Sequence, residues 1–286
     1  LKNYEALIDG NNRMVDEYDT KTYLKAPYDL STNTSQMVTK LQFVNKHDQV
    51  EEIFSVTQFE NFSLENCQDC IDRMSIMAVA LNELGNYNKT IELLEPFIDI
   101  INDKFFLQQI LKAYINTNNK EKVGQLIEKL KLTMNNNNWV YLNLFIARQF
   151  LLINNDEDAK PYLYSVISDE NKKSNPQLVA EAFYELGDYI NAESMFAELI
   201  LKQPFDIKLN AYLSMCYFKN GKALKGNLHI DVLENLRAPY QYGIIDYRLA
   251  QIYAAKDDEE LVFEYLLKSI AAGNFYGDET FKNSPS

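Results

Sequence analysis

"AEAFYELGDYINAESMFAELI", residues 180–200, decides the fold, because it reads as two short helices folded back on each other around Gly187. Antiparallel helices approach closely only where small side chains meet, and Ala180 and Ala192 provide such a meeting point, one on each helix. Gly187 supplies the left-handed backbone that ends the first helix at no steric cost. Phe196 lies one turn beyond Ala192 as the large packing residue, and Pro204 stops the unit.

A second stretch, "AVALNELGNYNKTIELLEPFI" at residues 78–98, aligns with the first, sharing a small residue and then Glu-Leu-Gly-Asn/Asp-Tyr at the same offset. Carrying that register outward places units beginning near residues 71, 104, 140, 173, 207 and 243, about 33 to 36 residues apart. The turn position then reads Gly85, Asn118, Asn154, Gly187, Gly221 and Asp257. Asn and Asp are the residues that best replace glycine where φ must be positive. The small position on the second helix drifts more, through Thr90, Val123, Ala159, Ala192, Gly226 and Val262. Apolar residues recur at helical spacing within each unit, as in Ile110, Leu111 and Tyr114, or Leu249, Ala250 and Tyr253.

This pattern resembles the tetratricopeptide repeat, over about 200 residues from 71 to 276. The resemblance implies an all-α fold, a right-handed superhelical solenoid of antiparallel helix pairs. Residues 1–70 keep the register poorly and read as a divergent helical cap, 71–276 as six helix pairs, and 277–286 as a C-terminal tail. In the tail, Gly273 would end a helix and Phe281 fold back on the last pair, as in bacterial members of that family. The chain starts at Leu1 with no apolar leader and stops abruptly at Ser286, as a mature product or a piece of a longer chain would. The asparagine run at 135–138 reads as a loop between units.

The chain carries 41 acidic against 28 basic residues, a formal charge of -13, which repels a phosphate backbone and disfavours nucleic acid. A hydrophobic fraction of 47% with only 9 Gly and 7 Pro describes a folded, helix-rich chain. No stretch is apolar enough for a membrane span, so the chain reads as soluble, with the cytoplasm favoured.

Three cysteines at irregular spacing are not a disulfide framework. Cys67 and Cys70 have the gap of a redox pair, but no buried strand precedes them to aim such a pair, and capping or packing explains them better. His47 and His229 are the only histidines, too few with these cysteines for a tetrahedral zinc site. Neither histidine lies in a nucleophile motif, and no glycine-rich phosphate loop is present. The expectation is a non-catalytic chain with no cofactor and no metal.

What remains is a surface for another protein or peptide. In the tetratricopeptide family the first helix of each pair lines the concave face. Transferred position by position, the strip comprises Asn82, Phe105, Gln108, Lys112, Ile115, Tyr141, Leu144, Arg148, Leu151, Gln177, Glu181, Tyr184, Met215, Phe218, Tyr247 and Gln251. The Lys and Asn pattern with which some members hold a C-terminal carboxylate is absent, since the ninth position reads Val79, Lys112, Arg148, Glu181, Met215 and Gln251. Lys112 and Arg148 stand one unit apart among aromatic residues, an arrangement suited to an extended peptide or helix with a carboxylate to fix. A scaffold or adaptor is therefore expected. A peptide-sensing receptor and the helical-repeat region of a larger enzyme or complex are the alternatives.

Overall fold

The computed structural model describes residues 68–133, 136–239, 241 and 243–272. The proposed cap, the tail and its Gly273 and Phe281, and Cys67 all lie outside them. The chain falls into two compact units, with described residues 68–133 in the first and 136–272 in the second. The first unit contains α1 (Gln68–Glu83), α2 (Tyr87–Leu94), α3 (Lys104–Asn116) and α4 (Lys120–Thr133). The second contains α5 (Asn136–Leu152), α6 (Asp156–Val166), the short α7 (Asp169–Ser174), α8 (Pro176–Glu185), α9 (Tyr189–Ile200), α10 (Ile207–Lys219), α11 (Ala223–Asn235), α12 (Ile244–Ala255) and α13 (Glu259–Ala271).

Helices pair across a three-residue turn, and the same two bonds close every turn. In the pair α8–α9, the Gly187 amide donates to the Tyr184 carbonyl at 2.9 Å and the Asp188 amide to the Phe183 carbonyl at 2.9 Å. This caps the last carbonyls of α8 and requires a left-handed residue at Gly187, where φ is 76°. Gly85, Asn118, Asn154, Gly221 and Asp257 adopt the same conformation, with φ between 55° and 73°. Asp188 then starts α9 by accepting from the Asn191 amide at 3.2 Å, and Asn155 and Asp258 begin α6 and α13 in the same way. One turn thus satisfies the orphan groups of two helix ends.

The small positions of the two best-matching units are buried. Ala180 and Ala192 are fully buried, as are Ala78 and Thr90 in the first unit. Phe196 is fully buried and stacks on Tyr212 of the next pair, with ring centroids 5.1 Å apart. Burying one such ring contributes about 2–3 kcal/mol. The asparagine run departs from expectation: residues 136–138 form the first turn of α5 rather than a loop. Helix propensity matters least at a terminus, where asparagine can serve the free amides.

Candidate functional site

The first helices of the pairs carry the strip, and the structure sorts its residues into three groups. Phe105 on α3 and Tyr141 on α5 are exposed, at 48% and 55%. Gln108, Lys112, Arg148, Leu151, Gln177, Phe218 and Tyr247 are half-buried. Asn82, Ile115, Leu144, Glu181, Tyr184, Met215 and Gln251 are buried, which corrects the expectation that they face a partner. The physical reason is that, within each unit, first helices of neighbouring pairs pack on one another, α1 with α3 in the first and α5 with α8 and α10 with α12 in the second, so part of the inward face becomes the seam between pairs.

In the first unit, Asn82 reaches from α1 to α3, its amide donating to the Gln109 carbonyl at 3.0 Å. Lys112 on α3 bonds Glu83 on α1 at 2.9 Å, and only 12% of its side chain is accessible. Glu83 is the glutamate of the Glu-Leu-Gly turn. Its counterpart in the second unit, Glu185, is held by Arg148, whose Nε donates to it at 2.9 Å. Both cations of the strip are therefore counter-ions of the repeat's own turn glutamates.

The second unit builds a larger network on this pair, across α5, α8 and α10. Arg148 Nη2 donates to Glu181 and to the Tyr212 hydroxyl, each at 2.9 Å. Glu181 is fully buried and also takes Lys208 at 2.6 Å and the Gln177 amide at 3.1 Å. Burial works to raise the Glu181 pKa, but Arg148 and Lys208 outweigh it and hold the carboxyl below its usual range. Glu185 behaves oppositely: burial dominates and pushes its carboxyl up, despite Arg148 beside it. Burial alone would also lower Arg148, yet Tyr212, Glu185 and Glu181 more than offset that and keep it firmly charged. Tyr184 packs edge-on against Tyr189 and Tyr212, at 5.3 Å and 5.4 Å, and its hydroxyl points to the Met215 sulfur at 3.6 Å. It is a core residue of this network.

Phe218 and Tyr247 also serve the fold. The Phe218 ring lies over Gly226 on α11, where an added Cβ would come within 2.7 Å of it. The Tyr247 ring lies 5.6 Å from the Arg248 guanidinium. Glu83, Glu185, Lys208, Tyr212 and Arg248 were not singled out in the sequence. The glutamates were visible as repeated motif residues, and only the packing of neighbouring pairs gives them a role.

Other chemistry is sparse. Cys216 is fully buried, and burial pushes its thiol up to about 12, leaving little thiolate at neutral pH. His229 bonds the Asn210 side chain at 2.8 Å and stacks on Tyr217, and burial lowers its pKa. Cys70 lies in the first turn of α1. Among the described residues, no group of three or more His, Cys, Asp or Glu could hold a metal ion, and no helix is long and apolar enough to cross a membrane.

These features define an all-α, tetratricopeptide-like repeat of antiparallel helix pairs. No protein-family model and no curated protein matches the chain. Among solved structures, a crystal structure of a tetratricopeptide repeat protein from Parabacteroides merdae ATCC 43184 is similar at 14% identity and a TM-score of 0.49, covering 96% of this chain and 94% of that one.

Proposed function

We propose that the chain is a non-catalytic binding module, a scaffold or adaptor that holds a protein or peptide on the face formed by its first helices. The observation that supports this reading is an exposed ring on a first helix of each unit taken by itself, Phe105 on α3 in the first and Tyr141 on α5 in the second. Aromatic residues left in water by a chain that buries most of its apolar side chains are the usual anchors of an interface. The neutralised cations Lys112 and Arg148 leave these rings, not a charge clamp, as the main contact.

Capture from native lysate tests this. Phe105→Asp and Tyr141→Asp are each expected to reduce recovery of a specific partner at least tenfold, because interface anchors contribute about 2 kcal/mol or more. Their melting temperatures should match that of the wild type, since both side chains already face water. Unchanged capture by both variants would overturn the reading.

A further inference from the structure

In the second unit, α9 shows how the array covers the face of a second helix that points to the following pair. Here α10 packs on α9, Ala197 and Ile200 join the core, and Glu193 bonds Asn220 at 2.7 Å and Lys222 at 2.8 Å in the turn after α10. Val262 takes on α13 the place of Ala192 on α9, so the same register puts Phe263, Leu267 and Ile270 where α9 has Glu193, Ala197 and Ile200. Among the described residues α13 packs chiefly on α12, and these three side chains are 68%, 66% and 39% exposed. A second helix left facing water needs polar residues on that face, yet α13 carries larger and more apolar ones than α9. The surface there is also indented. Ala254, Val262 and Phe263, with Asp257, Asp258 and Glu259 of the turn, line a cleft of about 460 Å³.

An apolar stripe repeating at three and four residues along a helix is shaped to receive another helix, and the charges beside it select which one. α13 opens with Glu259 and Glu260, and along one edge of the stripe stand Glu264 and Lys268, paired within the helix at 2.6 Å. A second α13 laid parallel would set glutamates against glutamates. Laid antiparallel about a two-fold axis near Leu266, it sets Glu264 of each copy opposite Lys268 of the other and brings each Phe263 against Leu267 and Ile270 across the axis. That arrangement is self-complementary, as a two-fold interface has to be, and it also opposes the helix dipoles. The crossed charges fix the direction of pairing, while the apolar stripe supplies the affinity.

We propose that the exposed face of α13 is a homodimer contact, in which two copies of the chain pair antiparallel through Phe263, Leu267 and Ile270. This surface is separate from the first-helix face, and the inference does not rest on the binding-module reading.

Sedimentation velocity of the full chain over a concentration series tests it. A contact this small predicts reversible dimerisation with a Kd of about 10–100 μM. Leu267→Asp should weaken it by about tenfold or more, with the melting temperature of the dilute chain unchanged because the side chain already faces water. Glu264→Lys and Lys268→Glu should each dimerise more weakly than the wild type, since each sets like charges opposite one another. An equimolar mixture of those two variants should dimerise more tightly than either alone. A wild-type chain that stays monomeric throughout overturns the proposal and leaves the face to a helix of another protein or to residues 273–286. Dimers that Leu267→Asp leaves intact, or a mixture no tighter than its two components, overturn it as well.

Discussion

Arg148→Met is expected to cost the second unit about 3–5 kcal/mol, because it leaves two carboxylates in the seam between pairs without their shared cation. Glu181 has no accessible side-chain surface and Glu185 only 5%, so solvent cannot take the place of the lost cation. Lys208 remains on Glu181, but Glu185 loses the cation beside it. Equilibrium unfolding in urea measures the loss. The pairing itself is tested by adding Glu185→Gln to Arg148→Met, which should recover a substantial part of the deficit. Simple addition of two separate losses would refute the network.

Acid should partly rescue the same variant. In the wild type, the lowered Glu181 pKa stabilises the fold at pH values above the ordinary carboxylate range, and this is lost as pH falls through the lowered value. The raised Glu185 pKa acts with opposite sign, weakening the fold at neutral pH and ceasing to do so as pH falls through its raised value. Without Arg148 both carboxyls move up. The stability gap between wild type and Arg148→Met should therefore be larger at pH 7 than at pH 5, and a gap constant with pH would count against buried carboxylates as its cause.

Gly243→Ala is the second large effect, at about 2–4 kcal/mol, from left-handed strain and steric overlap together. Gly243 precedes α12 with φ at 76°, and a Cβ there would lie 2.5 Å from the Ser269 carbonyl oxygen and 3.0 Å from the Ala272 Cβ. The contact cannot be relieved by turning a side chain, since the Ser269 oxygen is backbone and the Ser269 hydroxyl also donates to the Gly243 carbonyl at 3.0 Å. Gly187→Ala is the control. It has the same φ with nothing within 4 Å of the added carbon, so only about 1–2 kcal/mol should be lost. Equal losses at both positions would show that packing around Gly243 is looser than described.

The turns were legible in the sequence because a single residue decides each one. Positive φ selects Gly, Asn or Asp, and Asn118, Asn154 and Asp257 could be placed beside the glycines without knowing any long-range contact. The strip was legible only as an orientation. That Phe105 and Tyr141 stay exposed while Tyr184 and Gln251 are buried depends on how neighbouring pairs pack, which no local pattern encodes. Nor does the sequence show that Lys112 reaches back to Glu83 while Arg148 reaches forward to Glu185. Gly243 escaped notice for a related reason, since it opens a helix, outside the helix-ending position where glycine was sought.

The central claim, that partners are held by the first-helix face, is tested most directly by site-specific photocrosslinking. Benzoylphenylalanine would be placed at Tyr141 on α5 and, separately, at Ile190 on α9 and Leu224 on α11, all exposed sites of the second unit. The account predicts partner adducts from position 141 and none from 190 or 224. Adducts from the second-helix positions with none from 141 would contradict it.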